Sequence, residues 1–272
     1  MWRARKTYRR HIVTLGTIIL MLVASCSVRG NIILPKAPEL SSKGYILMDV
    51  ASGRVLVESN ADEPLPPASL TKIMTGYVVA AELETGRISL EDAVPISVNA
   101  WRTQGSKMFI QEGTMVTLSD LVRGVVVQSG NDASVAIAEF LAGDEEAFAD
   151  VMNQHAITIG MTSTNFLNST GLPKEGHLTS ARDMAVLARE LIHRFPKHYA
   201  IYAEREFTFG GIRQPNRNRL LWRDRTVDGI KTGYTLAAGY CLVASAKRDD
   251  MRLVLSLIHI SEPTRPLYRS YA

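Results

Sequence analysis

Three short runs in this chain carry side chains that can do chemistry together. Ser69-Leu70-Thr71-Lys72 is its only Ser-x-x-Lys, and Lys231-Thr232-Gly233 its only Lys-Thr-Gly. Between them lies Ser129-Gly130-Asn131, a Ser-x-Asn form that recurs at Ser97 and Ser163. Residues three apart on a helix share a face, so Lys72 can bring its amine to the Ser69 hydroxyl. A serine is a poor nucleophile without a base in hydrogen-bond reach. A lysine is such a base only when burial or a neighbouring positive charge lowers its pKa. Lys231 can supply that charge and attract a substrate carboxylate, with Thr232 adding a hydrogen bond. Gly233 would let an extended substrate backbone approach the strand edge. Ser129 can relay a proton, and Asn131 can bond a substrate amide. Read singly, each run is ordinary: a capping serine before a solvated lysine, an Asn turn, a strand ending at glycine.

The elements around these runs favour the chemical reading. After Pro64-Leu65-Pro66-Pro67, a helix is predicted from Ser69 to about Thr85, stopped by Gly86. It is apolar almost all round (Ile73, Met74, Tyr77, Val78, Val79, Leu83), as a buried helix is. Ser69 at its N-terminus would place a developing oxyanion near free N–H groups. Ser129 to Asn131 fall at the break between two apolar helices, Leu121 to Val127 and Asp132 to Ala142. Thr117 with Asp120 resembles a capping box for the first. Further helices are predicted at Glu145 to Ile159 and after Thr179 or Ser180. Gly44 to Val50 and Arg54 to Glu58 read as a hairpin. Strand patterns return at Phe207 to Arg213, Val227 to Lys231, Tyr240 to Ala246 and Met251 to Leu257. Strands at both ends around a helical middle predict an α/β fold, one sheet with helices packed on it.

Composition excludes other classes. With 46% hydrophobic and 21% charged residues, the 272-residue chain can bury a core and is not disordered. The net charge of +4 belongs to the first 26 residues, which hold Arg3, Arg5, Lys6, Arg9 and Arg10 and no acid. Removing those five leaves −1, so no nucleic-acid footprint remains. A basic stretch, thirteen mostly apolar residues from Ile12 to Ala24 and small residues at Ser25 and Cys26 have the layout of a secretory signal, taken as residues 1–28. The apolar run is short for a membrane anchor. Val23-Ala24-Ser25-Cys26 also resembles a lipobox, so cleavage and lipidation both remain open. Residues 29–42, with Pro35 and Pro38, read as a linker. Cys241 lies in a strand pattern with no activating base nearby and reads as a buried structural thiol. The six histidines contain no His-Glu-x-x-His, and His193 and His198 read as helix-end residues. No cofactor or metal motif appears.

From about Ala37 to Val254 the chain resembles the low-molecular-weight penicillin-binding proteins, the serine-type D-alanyl-D-alanine carboxypeptidases. The three motifs in order are a signature of that family and of class A β-lactamases. The likeness extends to the flanks at residues 67–75, 127–134, 179–185 and 227–235. It implies a β-lactamase/transpeptidase-like fold, an antiparallel sheet with packed helices plus a helical subdomain. It implies that Ser69 attacks the carbonyl between two terminal D-alanines of a peptidoglycan stem peptide, that Lys72 takes its proton and that Ser129 passes one to the leaving D-alanine. Lys231 would hold the terminal carboxylate, with Asn131, Thr232, Gly233 and Arg217 as further substrate contacts. The N–H groups of Ser69 and Tyr234 would form the oxyanion hole; at 234 the family pattern has His. It further implies β-lactams as covalent inhibitors, a periplasmic location and a C-terminal membrane anchor.

Class A β-lactamases add a deacylating Glu on a loop before the segment corresponding to Thr179 to Ala185. Here Asn165 to Leu172 holds no acid, and Gly130 replaces the Asp of their middle motif. A penicillin sensor that keeps only acylation is the other reading, which turnover of a D-Ala-D-Ala peptide separates. Finally, Leu255 to Arg265 resembles the translation of a transposase-type adapter from sequencing libraries. The expectation is therefore a catalytic domain at 43–254 and a non-native tail at 255–272, with apolar sheet surface left uncovered. Long-read sequencing of the locus checks this: the expected outcome is a reading frame that departs from the present one after about residue 254, and an unchanged frame ending at Ala272 would contradict it.

Overall fold

Strands from the two ends of the described residues pair directly with each other. The computed structural model describes residues 39–261; the expected leader, the linker before residue 39 and the tail after 261 lie outside them. The main sheet contains β1 (Ser42–Asp49), β2 (Val55–Ser59), β7 (Val227–Thr235), β8 (Gly239–Arg248) and β9 (Met251–Ile260). Its order is β2-β1-β9-β8-β7, and every pairing is antiparallel. The β1–β2 turn follows from Gly53 at φ 72° and from Asp49, whose Oδ1 accepts the Ser52 N–H at 2.9 Å. Two small ribbons, β3 (Ala93–Pro95) with β4 (Met115–Thr117) and β5 (Glu206–Phe209) with β6 (Ile212–Pro215), complete the strands.

The helices are α1 (Thr71–Thr85), α2 (Val98–Arg102), α3 (Leu118–Arg123), α4 (Asn131–Ala142), α5 (Glu145–Thr158), α6 (Ala181–Arg194), α7 (Pro196–Tyr199) and α8 (Leu220–Arg223). α6 is amphipathic, with Met184, Ala185, Leu187, Ala188 and Leu191 buried at helical spacing against β1, β8 and β9. Its Ser180 cap accepts the Asp183 N–H at 3.1 Å. α1 is buried on every side from Thr71 to Ala81, because it runs between the sheet and the helical subdomain of α4 and α5. Removing Ile73, Met74, Tyr77 and Val78 from water stabilises this arrangement by about 2 kcal/mol each. The helix ends as expected at Gly86, in the left-handed region.

Three local expectations are corrected. Ser69 lies not in α1 but in a 3₁₀ turn, Ala68–Leu70, that leads into it. The predicted helix at 121–127 is α3 followed by a π turn, Gly124–Gln128, and Ser129 at φ 67° ends it. Phe207 to Arg213 is not one strand but the β5–β6 hairpin, because Gly210 and Gly211 both adopt positive φ. β9 includes residues on both sides of Val254. Leu255 pairs with Leu47 and Ala244, and Leu257 with Tyr45 and Leu242, so the strand continues to Ile260 in the middle of the sheet. On this outward face Tyr45, Leu47, Leu242, Leu255 and Leu257 are half-buried. Cys241 is buried as expected, and burial pushes its thiol up to about 11.

His198 is also buried, packed edge-on to Tyr202, with neither ring nitrogen bonded among the described residues. Burial lowers its pKa from 6.5 to about 4. A histidine with a lowered folded-state pKa contributes stability that is fully present above 6.5 and lost as pH falls toward 4, because the unfolded chain takes the proton first. His198→Leu is therefore expected to flatten the fall in denaturant-unfolding stability between those pH values by about 2–3 kcal/mol.

Candidate active site

Ser69 and Lys72 meet as helical spacing predicts: Lys72 Nζ lies 3.1 Å from Ser69 Oγ. Lys72 is 1% exposed, and Nζ also bonds Asn131 Oδ1 at 2.7 Å and the Thr170 carbonyl at 2.5 Å. Burial, reinforced by the Lys231 charge and opposed by Asp132 and Glu145, holds its pKa well below the usual lysine range. In its neutral form the amine has two N–H donors and one lone pair. Asn131 Oδ1 and the Thr170 carbonyl can only accept, so they take the two N–H groups. The lone pair is left for the Ser69 hydroxyl. The geometry leaves Lys72 able to accept a proton from Ser69.

Asn131 is held for this task from both ends. Its Nδ2 donates to the Gln104 carbonyl at 2.6 Å, and Gly105 lets that loop close, since a Cβ there would stand 2.5 Å from Nδ2. Asn131 is 4% exposed, and its amide oxygen orients Lys72, a role beyond the substrate contact expected of it. The next residue, Asp132, is wholly buried, and its carboxylate accepts the N–H groups of Met108 and Phe109 at 3.0 Å each, pinning the loop before it to the start of α4. Ser129 reaches the wall of the cleft, with its Oγ unbonded among the described residues.

β7 is the outer strand of the sheet and forms the opposite wall. A Cβ at Gly233 would lie 3.1 Å from Ser69 N and 3.2 Å from Ala68 Cβ. The glycine thus eases the close approach of β7 to the Ser69 backbone, besides admitting substrate as expected from the sequence. Lys231 is 2% exposed; burial and the Arg217 charge lower its pKa to about 7. Its Nζ donates to the Thr232 carbonyl at 3.1 Å. Thr232, Gly233 and Tyr234 line a cleft of about 980 Å³ together with Ser69 and Ser129. Tyr234 packs against Tyr240 with ring centroids 4.5 Å apart. Among the described residues, three arginines, Arg217, Arg219 and Arg223, line the same cleft and no acid does. Arg217 is anchored by Gln128, and the flanking Asn216 and Asn218 fix its loop to the Glu204 and Gly229 carbonyls.

The structure thus brings all nine predicted residues to one place, with Lys72, Asn131 and Lys231 beneath the surface and the other six lining the cleft. Sequence reasoning missed the loop 165–178. Asn168 Oδ1 accepts from Thr170 N, Thr170 Oγ1 and Gly171 N, and the resulting turn aims the Thr170 carbonyl at Lys72. Glu145 holds Ser169 through both its N–H and its hydroxyl. The Asn-x-x-Gly spacing was a legible turn signal; nothing local showed what the turn would touch. No carboxylate bonds Ser69 or Lys72 among the described residues, so the deacylating Glu of the β-lactamase reading is not found there.

The family model described as D-alanyl-D-alanine carboxypeptidase, peptidase S11, matches residues 32–261. The chain belongs to this family. D-alanyl-D-alanine carboxypeptidase DacC of Escherichia coli is 52% identical to it over 226 residues, which are 80% of this chain and 56% of that relative. Penicillin binding protein 5 from Haemophilus influenzae has 44% identity and a TM-score of 0.81, over 84% of this chain and 67% of that one. Penicillin-Binding Protein D2 from Listeria monocytogenes, solved with ampicillin bound, has 27% identity and a TM-score of 0.76, over 84% and 93%. The fold is thus that of the penicillin-binding carboxypeptidases, as the resemblance implied. The chain spans 56% and 58% of the length of the curated relatives DacC and DacA of Escherichia coli.

The two lysines should respond differently to replacement by arginine. Lys72→Arg is expected to abolish acylation by a penicillin, since a guanidinium cannot accept the Ser69 proton. Lys231→Arg should retain part of the activity. In the parent protein kcat/KM for a carboxylate-ended peptide should fall as pH rises through about 7, where Lys231 loses its charge. Lys231→Arg should lose that alkaline limb. Equal loss in both variants, or an alkaline limb that survives in Lys231→Arg, would contradict the assignment.

Proposed function

We propose that this carboxypeptidase-family chain hydrolyses the terminal D-Ala-D-Ala bond of peptidoglycan stem peptides through a serine acyl-enzyme. The observation that carries the proposal is the buried Lys72 amine, whose N–H groups are both taken, so that its lone pair faces Ser69. Ser69 Oγ attacks the carbonyl carbon while its proton passes to Lys72. The N–H groups of Ser69 and Tyr234 stabilise the oxyanion; Ser69 N stands at the first turn of a helix, where no intrahelical acceptor exists. The C–N bond breaks, and the departing D-alanine amine takes a proton through Ser129. Water then cleaves the ester and restores Ser69, releasing the shortened peptide.

The cleft chemistry supports a carboxylate-ended peptide. Lys231 lies under the floor, Arg217, Arg219 and Arg223 line the wall, and no acid among the described residues opposes them. Low-dielectric walls around one sign of charge concentrate an anion there. The outer strand β7 offers backbone groups to an extended chain. A β-lactam, which presents a strained carbonyl beside a carboxylate, would acylate Ser69 in the same position. Physiologically the proposal is trimming of the donor stems used in wall cross-linking. It takes the leader as an export signal to the periplasm, with peripheral attachment to the inner membrane through the C-terminal anchor that the family resemblance implies. Among the described residues no helix is long and apolar enough to cross a membrane.

Two measurements test this. Intact-mass analysis after penicillin treatment should show one adduct, absent in Ser69→Ala. Incubation with a D-Ala-D-Ala peptide should release D-alanine catalytically. An adduct without turnover would favour the sensor, and an adduct that persists in Ser69→Ala would sink the nucleophile.

A further inference from the structure

A buried histidine outside the three motifs reaches the nucleophile's backbone. His177 is 3% exposed; its Nδ1 accepts the Leu167 N–H at 2.9 Å, which leaves the ring proton on Nε2. Nε2 lies 2.9 Å from Thr71 Oγ1 and therefore donates to it. The Thr71 hydroxyl in turn donates to the Ala68 carbonyl at 2.9 Å. A threonine in a first helical turn often bonds back in this way; here the histidine fixes which way its hydroxyl points. The other approach to the carbonyl is closed by Gly171, where even a Cβ would stand 1.8 Å from Ala68 O.

Ala68 is an unusual residue to hold. Its φ of 48° is in the left-handed region, where a residue with a Cβ persists only if its surroundings enforce it. The Ala68 carbonyl and the Ser69 N–H belong to one planar peptide unit and point in opposite directions. Fixing the oxygen fixes the N–H. We propose that His177 is a positioning residue for catalysis: through Thr71 it holds the Ala68–Ser69 peptide so that the Ser69 N–H faces the oxyanion. The inference rests on the serine acyl-enzyme reading above. It also gives the loop 165–178 a double task, since Thr170 orients the base and His177 the nucleophile's peptide.

Paired variants of one residue separate positioning from stability. His177→Gln can keep a donor near the Nε2 position and loses the bond to Leu167; His177→Asn keeps an acceptor near Nδ1 and loses the bond to Thr71. Thr71→Ser keeps the hydroxyl, and Thr71→Val removes it at constant shape. The readouts are the second-order rate of acylation by a fluorescent penicillin, kcat and KM on a D-Ala-D-Ala peptide, and the thermal midpoint. Acylation should slow about tenfold or more in His177→Asn and Thr71→Val, with kcat lowered and KM little changed, and stay within about threefold of the parent in His177→Gln and Thr71→Ser. The double variant His177→Asn/Thr71→Val should lose no more than the worse single one. Should His177→Asn fail to fold, the Thr71 pair carries the same comparison. Parent-like acylation in Thr71→Val, or rates that merely follow the thermal midpoint across the set, would overturn the proposal. A parent protein that penicillin does not acylate would instead refute the acyl-enzyme reading on which it rests.

Discussion

An amine buried without a carboxylate to pair with cannot comfortably hold its proton, and the rest of the site depends on that constraint. Lys72 is enclosed by Ser69, Asn131 and Thr170, and the other charge that acts most on it is the positive one of Lys231. Moving a charged ammonium into such a place is costly, so the neutral form prevails. Once neutral, the amine's hydrogen bonds have a direction. Two oxygens that cannot donate take its two hydrogens, and among the described residues the remaining hydrogen-bond partner is the Ser69 hydroxyl. The base is made by what surrounds it as much as by the lysine itself.

That surrounding shell is supplied by parts of the chain far apart in sequence. Asn131 belongs to α4 and is itself fixed by the Gln104 carbonyl. Thr170 belongs to a loop stapled to α5 through Glu145 and to α1 through the Thr75 hydroxyl, which donates to the Ser169 carbonyl at 2.8 Å. A loop that lies inside a protein must have its polar backbone satisfied. In this one Asn168, Asn153 and His177 do so, through bonds to Gly171 N, Phe166 N and Leu167 N. A well-bonded loop is a rigid one, and rigidity at the Lys72 contact keeps the lone pair aimed.

The opposite wall is governed by steric fit and charge. β7 approaches the 3₁₀ turn of Ser69 closely at Gly233, where a Cβ would make tight contact with Ser69 N and Ala68 Cβ. The same approach buries Lys231 beneath the cleft, so its charge acts on Lys72 and on any incoming carboxylate alike. Arg217 acts on Lys231 in the same way, lowering its pKa further. Positive charge in the cleft thus favours an anion there and also the neutral form of Lys72.

Much of this was legible in the amino-acid sequence, for reasons that are local. The Ser69–Lys72 contact follows from helical spacing, the Ser129 break from the gap between two apolar helices, and β7, β8 and α6 from period-two and period-3.6 patterns with their caps. The all-round apolar character of α1 already implied that Lys72 would be buried. What the tertiary structure alone decided is which distant groups complete the site. Nothing near Thr170 or His177 in sequence indicates that a carbonyl of the one and a ring nitrogen of the other would meet residues 98 and 106 positions away. The place of β9 between β1 and β8 is likewise a long-range choice. Patterns along a chain report which face of an element is buried; they do not report what buries it, because that depends on packing among segments the pattern does not connect.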